Sequence, residues 1–135
     1  MADQNIIDEV LASSKIIAMV GASAKPDRPS YRVMQFMQER GYRVIPVNPG
    51  LAGQELHGEI VQASLADINE PVDMVDIFRQ ADQCPAIVDD AIAIGAKSVW
   101  MQLAIIHDEA AATARAAGLK VVMDRCPKIE LERQD

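Results

Sequence analysis

The sequence predicts an α/β protein: a single domain over residues 1–135, with a doubly wound, parallel, five-stranded sheet between two layers of helices. Short apolar runs rich in β-branched residues alternate with stretches of helical length. The runs are apolar almost throughout, as is typical of strands buried on both faces of a parallel sheet. A chain of 135 residues suits one domain with a sizeable core. We expect the strand order 3-2-1-4-5.

The first predicted element is a helix at about residues 5–13, because its apolar residues recur at helical spacing and share one face. Five strands follow, and we expect helices to connect them. The segment 51–69 lacks a clear period, and we interpret it as mostly loop with a short helix or an extended piece. The predicted strands are residues 16–20, 44–47, 72–78, 98–101 and 119–123.

Three glycines mark the ends of the connecting helices. Gly41, Gly95 and Gly118 each follow a helical stretch and precede a strand. Glycine adopts the left-handed conformation that ends a helix without the steric penalty of a Cβ atom. The repeated pattern therefore supports alternating helices and strands.

Polar residues and a proline mark the predicted helix starts. We expect Ser30 to cap a helix over residues 31–40, and Asp108 to cap one over residues 109–117. Pro85 fits the first turn of the helix between the third and fourth strands, where its missing N–H costs nothing.

The charge distribution restricts the partners. The formal net charge of −7 argues against nucleic acid or an anionic membrane surface. Residues 22–43 nevertheless carry a net charge of +3, which leaves −10 on the rest of the chain. A compact basic segment in an acidic protein favours a small anionic ligand over a polymer.

The sequence also predicts a compartment. No apolar run is long enough to cross a bilayer, and the first ten residues lack the pattern of a signal peptide. Two cysteines, Cys84 and Cys126, do not form a disulfide framework and suit a reducing compartment. We therefore expect a cytoplasmic protein.

The loop after the first strand is the main candidate for a binding site. In Rossmann-like sheets, ligands bind outside the carboxyl ends of the strands, near the reversal of strand order, expected here between the first and fourth strands. A tight glycine turn, small side chains, a helix start and basic residues together predict phosphate binding. The alternative is a solvated loop with incidental basic residues. The candidate residues are Gly21, Ala22, Ser23, Lys25, Arg28, Ser30 and Arg32.

The same loop lacks the motifs of the common nucleotide-binding sites. The dinucleotide fingerprint G-x-G-x-x-G is absent, and so is the P-loop pattern. The second strand is followed by Asn48 and Pro49, not by the acidic residue that holds the ribose of NAD. These absences disfavour NAD and ATP as ligands.

Five segments together resemble one protein family: VGASAKPDRPS, GYRVIPVNP, VDMVDIFR, WMQL and MDRCPKIE. The family is that of small bacterial and archaeal CoA-binding-domain proteins, similar to the N-terminal CoA-binding domain of the succinyl-CoA synthetase α subunit. The resemblance covers about residues 16–130. It implies a Rossmann-like fold and coenzyme A or an acyl-CoA as the ligand. Ala104 departs from it, because glycine is expected there and a methyl group narrows the approach to the pantetheine arm.

The residue chemistry agrees with this ligand. CoA carries a diphosphate and a ribose 3′-phosphate, so a loop with lysine and arginines suits it. An aspartate after the second strand would repel the 3′-phosphate, and Asn48 stands there instead.

The other strand ends supply further candidates for CoA binding. Asn48 and Pro49 either shape the adenosine side of the cleft or form a simple turn. Phe78 packs on the adenine or on the core, and Arg79 reaches a phosphate or forms an ion pair with a nearby acid. Gln102 is placed to bond the pantetheine amides.

We predict a binding protein with no catalytic residues and no metal site. Asp73 and Asp76 are not an obvious catalytic pair, and Trp100 is expected to pack in the core. Cys126 follows the last strand, where an adjacent cation and a helix start favour a thiolate, although a packed cysteine is the simpler interpretation. The alternatives are a small acyl-CoA-dependent enzyme using Cys126, or an NAD(H)-type nucleotide sensor. The expected partner is the small-molecule CoA ligand, and an unidentified protein partner stays open.

Overall fold

The computed structural model describes residues 4–134. Five parallel strands form the main sheet, and a two-stranded antiparallel hairpin lies beside it. The main-sheet strands are β1 (Ile16–Val20), β2 (Arg43–Val47), β5 (Met74–Ile77), β6 (Ser98–Met101) and β7 (Lys120–Val122), and the hairpin strands are β3 (Glu55–Leu56) and β4 (Glu59–Ile60). The helices are α1 (Gln4–Ser13), α2 (Pro29–Glu39), α3 (Cys84–Ala93), α4 (Asp108–Ala116) and α5 (Pro127–Gln134). The structure thus confirms the predicted α/β, Rossmann-like architecture and all five predicted strands of the sheet.

The expected strand order is wrong. The sheet runs β2-β1-β5-β6-β7, so its five strands taken in chain order follow 2-1-3-4-5, not 3-2-1-4-5. The reason lies at the outer edge of β2. Gln62 pairs there, donating its backbone N–H to the Pro46 carbonyl and accepting from the Asn48 N–H, both at 2.9 Å. The third strand of the sheet therefore pairs with β1, and the strand order reverses between β1 and β5.

Alternate residues of each strand enter two separate cores. On one face, Met19, Met74 and Trp100 pack with the apolar sides of α1, α2 and α5. On the other face, Val75 and Val99 pack with α3 and α4. The two-residue period of the strands thus accounts for the helical layer on each side of the sheet.

The helix ends follow the predicted glycine signals. Gly41, Gly95 and Gly118 have φ values of +95°, +76° and +92°, which confirms the left-handed conformation expected of them. The helix starts differ in part. Pro85 lies in the first turn of α3, as predicted.

Two predicted caps are wrong. Arg28 occupies the N-cap position of α2, because Pro29 begins the helix, and Ser30 lies inside the first turn. For α4 the cap is His107, whose Nδ1 accepts a hydrogen bond from the Ala110 N–H at 3.0 Å, while Asp108 is the first helical residue. A histidine ring nitrogen thus takes the role usually filled by Ser, Thr, Asp or Asn.

The segment 51–69 contains more structure than predicted. It holds the β3–β4 hairpin and a short 3-10 helix at Leu65–Asp67, and a second such helix at Pro49–Leu51 begins just before it.

None of the helices within residues 4–134 has both the length and the apolar character needed to cross a membrane.

Candidate functional site

The first turn of the site is shaped by Gly21. It follows β1 directly, has a φ of +91° and donates its N–H to the Val47 carbonyl at 3.0 Å. A Cβ atom at this position would lie 2.4 Å from the carbonyl oxygen of Phe78. Only glycine fits here, because the chain turns against the backbone that follows β5.

Asn48 holds the loops after β1 and β2 together. Its Nδ2 donates to the Ala22 carbonyl at 2.8 Å, and its Oδ1 accepts from the Gly50 N–H at 2.9 Å. Both side-chain atoms are therefore committed within the protein, and Asn48 shapes the rim of the site. Pro49 begins the exposed 3-10 helix at Pro49–Leu51.

A cleft of about 510 Å³ lies beside these loops. Among the described residues that line it there are three cations, Lys25, Arg28 and Arg79, and no carboxylate. We call it the basic cleft. Its lining is Gly21, Ala22, Ser23, Ala24, Lys25, Arg28, Pro29, Ser30, Asn48, Gly50, Leu51, Phe78 and Arg79.

The polar groups of the basic cleft are largely uncommitted. Within residues 4–134, the side chains of Lys25, Arg28 and Arg79 form no ion pair, so the predicted alternative of an ion pair at Arg79 finds no partner there. Ser30 is only 4% exposed, and its hydroxyl has no hydrogen-bond partner in the same part of the chain. Ser23 Oγ accepts from the Lys25 N–H at 3.1 Å and shapes the loop. A site with positive charge and free donors suits a polyanion.

Nine of the twelve residues predicted for the binding site line the basic cleft. The other three are Arg32, Pro49 and Gln102. Arg32 is exposed on α2 and lines neither the basic cleft nor its neighbour, Pro49 lies outside both, and Gln102 lines the neighbouring cleft. Four further residues line the basic cleft, and the first three of them directly adjoin predicted positions: Ala24, Pro29, Gly50 and Leu51.

The neighbouring cleft has a volume of about 530 Å³ and a mostly apolar lining. It shares Pro29, Phe78 and Arg79 with the basic cleft, so the two are contiguous. We call it the apolar cleft. Its lining is Pro29, Val33, Phe78, Arg79, Gln80, Ala81, Gln102, Leu103, Ala104, Ile105 and Cys126.

A buried polar pair lies behind the wall of the apolar cleft. Asp76 is 1% exposed and accepts a hydrogen bond from Gln102 Nε2, and Gln102 lines the cleft. Burial raises the pKa of the Asp76 carboxyl to about 7, although the hydrogen bond from Gln102 opposes the shift. Asp73, before the same strand, accepts from the backbone N–H groups of Lys15 and Ile16 at the other end of the sheet.

Ala104 has a left-handed backbone, with a φ of +66°. Its N–H donates to Asp124 Oδ1 at 2.7 Å, which helps to hold the loop in this conformation. This geometry explains why a glycine suits the position, since left-handed backbone strains an alanine. The alanine methyl group stands in the wall of the apolar cleft.

Cys126 is buried and lines the apolar cleft. Burial raises the pKa of its thiol, against the effect of hydrogen bonds from the backbone N–H groups of Ile129 and Lys128. This direction is opposite to the one expected from the adjacent cation and helix start, so the structure does not support a thiolate at Cys126. Trp100 is fully buried, with its Nε1 donating to the Arg125 carbonyl at 2.8 Å, which confirms its expected place in the core.

The two histidines have structural contacts. His57 Nε2 lies 3.0 Å from the Tyr31 carbonyl, and His107 caps α4. Across residues 4–134, His, Cys, Asp and Glu side chains do not come together in a group of three or more that could hold a metal ion.

The fold is Rossmann-like, with two contiguous clefts at the carboxyl ends of the strands, and comparison with known proteins identifies the family. Residues 15–132 match the CoA binding domain family, so the chain belongs to that family.

Three relatives illustrate its range. The chain is 38% identical over 123 residues to the uncharacterized protein YneT of Bacillus subtilis (strain 168), covering 91% of this chain and 90% of YneT. It is 34% identical over 95 residues to the α subunit of acetate–CoA ligase [ADP-forming] I of Pyrococcus furiosus, covering 67% of this chain and 21% of that subunit. A solved structure of a protein from Thermus thermophilus superimposes with a TM-score of 0.93 at 38% identity, covering 99% of this chain and all of that one.

Proposed function

We propose that this protein binds coenzyme A, free or as an acyl-CoA, at the carboxyl ends of the sheet strands, and that it acts as a binding protein without catalytic groups of its own. The observation that carries the proposal is the set of three cations in the basic cleft, with no carboxylate among the described lining residues. A ligand with a diphosphate and a further phosphate matches this charge. Membership of the CoA binding domain family supports the same ligand.

The two clefts suggest how the ligand lies. The phosphates occupy the basic cleft, near the loop after β1 and the first turn of α2, where the Ser30 hydroxyl and the cations are free to bond them. The pantetheine arm then runs past Phe78 and Arg79 into the apolar cleft. This path crosses the point where the strand order reverses, which is the usual ligand position in doubly wound sheets.

The same features disfavour the alternatives. An NAD(H) sensor would need an acid after β2 to hold the ribose, and Asn48 stands there with both side-chain atoms bonded within the protein. An enzyme that transfers an acyl group to Cys126 would need a nucleophilic thiolate, and burial raises the pKa of that thiol.

The two cysteines are both free and buried, which supports a cytoplasmic location.

Calorimetric titration of the full chain with CoA and with dephospho-CoA tests the proposal. We expect CoA to bind at one site per chain, and Lys25→Ala or Arg28→Ala to weaken binding about tenfold or more, the value of a lost charge-assisted hydrogen bond. A variant that weakens CoA but not dephospho-CoA identifies the cation that contacts the 3′-phosphate, whereas equal losses place it on the diphosphate.

Arg32→Ala provides a matched control. It removes the same charge four residues further along the chain, inside α2, at an exposed residue that lines neither cleft. We expect its affinity for CoA to stay within about twofold of that of the unmodified protein, as for an exposed charge that does not contact the ligand. Equal losses of CoA affinity in Arg28→Ala and Arg32→Ala would mean that the overall positive charge, and not contact in the basic cleft, determines binding. That result would contradict the proposal.

A further inference from the structure

The lining of the apolar cleft is more apolar than a pantetheine arm, with its amide groups, requires. Its walls are formed by large apolar side chains, above all Val33, Phe78, Leu103 and Ile105, and Arg79 is the one charged residue among the described lining. Arg79 lies where the two clefts meet, next to the expected phosphates. Apart from Arg79, the described lining of the apolar cleft therefore contains no cation.

Two carboxyl groups are hydrogen-bonded to residues of this lining. Asp76 bonds the amide of Gln102, and Asp124 bonds the backbone N–H of Ala104 at 2.7 Å, and both Gln102 and Ala104 line the cleft. A ligand carboxylate that is buried against this apolar lining, out of reach of Arg79, would lose its hydration and gain no ion pair from the described lining. An uncharged group meets no such penalty.

The loop that follows β6 exposes apolar surface to water beside the cleft. Leu103, which lines the cleft, is 52% exposed, and Ile106, in the same loop but outside the lining, is 50% exposed. Large apolar side chains in a loop beside a cleft are a typical lining for an apolar ligand group. Contact with an acyl chain would remove part of this surface from water, at about a fourfold gain in affinity for each methylene buried.

We propose that the apolar cleft binds the acyl group of a short-chain acyl-CoA and selects uncharged acyl chains over those that end in a carboxylate. This inference rests on the proposed CoA binding, and it specifies the class of ligand for the same site. The uncharged acyl chain lies between Leu103 and Ile105, and Gln102, held by Asp76, closes the inner end.

Butyryl-CoA and succinyl-CoA form a matched pair of ligands for the test, since both carry four acyl carbons and differ at the end as methyl against carboxylate. We expect calorimetry on the full chain to give butyryl-CoA at least tenfold higher affinity than succinyl-CoA, and higher affinity than free CoA. Succinyl-CoA binding as tightly as butyryl-CoA would overturn the inference, since Arg79 or another cation would then reach the acyl end.

The same titrations separate this inference from the proposed function. If neither free CoA nor either acyl-CoA binds, the proposed function itself is contradicted. Binding of free CoA with no gain from the butyryl group would contradict only the acyl selection.

Two equally exposed apolar residues supply matched variants. Leu103 and Ile60 are each 52% exposed, but Leu103 lines the apolar cleft and Ile60 lies on the β3–β4 hairpin. We expect Leu103→Ser to reduce the ratio of butyryl-CoA to CoA affinity about threefold or more, and Ile60→Ser to leave that ratio unchanged. The same ratio in both variants would show that Leu103 does not contact the acyl chain.

Discussion

Gly21 is the residue on which the geometry of the site most depends. The chain leaves β1 at this point and passes within reach of the Phe78 carbonyl, where a Cβ atom would be 2.4 Å away. The close approach brings the loop after β1 against the end of β5, and the basic cleft opens between them. A single missing side chain thus allows two strand ends to form one site.

Replacing Gly21 by alanine tests this role. We expect Gly21→Ala to lower the free energy of unfolding by about 2 kcal/mol or more, because it adds a backbone clash to the cost of a left-handed alanine. Gly118→Ala is the matched control: its φ is +92° against +91° for Gly21, but no heavy atom lies within 4 Å of its Cβ position. Urea unfolding followed by far-UV circular dichroism measures both, and equal losses would argue against the close approach at Phe78.

Residue-level prediction from the sequence succeeded where the chemistry is local. A glycine after a strand, small neighbours and nearby cations indicated the basic cleft, because all of them belong to one loop. For Asn48 the sequence left two roles open, shaping the cleft or forming a turn. It could not decide between them, because Asn48 bonds both Gly50 and Ala22, and Ala22 lies on another loop. When the role of a residue depends on contacts with a second loop, it can be identified only from the folded structure.

At the scale of the element, strand β5 is unusual because it carries a carboxyl group in a fully buried strand. Asp76 has a single hydrogen-bonding side chain beside it, Gln102 at the end of β6. Burial favours the neutral carboxyl, so its pKa rises to about 7 from an ordinary value of 3.8. The buried strand is therefore most stable in the sheet when the Asp76 carboxyl is protonated.

The stability of the fold should depend on pH through this strand. Between about pH 4 and pH 7 the folded chain binds a proton at Asp76 that the unfolded chain has lost, so stability falls as pH rises, by up to about 1.4 kcal/mol per pH unit. Asp76→Asn keeps the acceptor for Gln102 and removes the titration. We expect the unmodified protein to lose stability relative to Asp76→Asn between pH 5 and pH 8 in urea unfolding. An unchanged difference at the two pH values would mean that Asp76 titrates normally.

The elements themselves were largely predictable, and their arrangement was less so. Strands β1 and β6 have the predicted bounds, and β2, β5 and β7 lie within one or two residues of theirs, because a fully apolar run is a local signal. The strand order was wrong because pairing at the edge of β2 is decided by Gln62, in a segment without periodicity. The predicted caps at Ser30 and Asp108 were wrong because α2 already begins at Pro29 and because the His107 ring caps α4.

At the scale of the whole molecule, charge and topology converge on one edge of the sheet. The chain has a net charge of −7, yet residues 22–43 carry +3, and the fold places two of their cations in the basic cleft beside Arg79. The strand order reverses at the same edge, between β1 and β5. In an otherwise acidic protein, cations are therefore concentrated at the edge of the sheet where we propose that CoA binds.

Competition between nucleotides tests the central proposal most directly. The full chain is mixed with equimolar CoA, NADH and ATP and examined by native mass spectrometry, which reads the identity of the bound ligand from its mass. We expect one CoA per chain as the dominant complex, because CoA alone of the three combines three phosphates for the basic cleft with a pantetheine arm for the apolar cleft. A dominant complex with NADH or ATP, or a chain that stays unbound while CoA is in excess, would contradict the account.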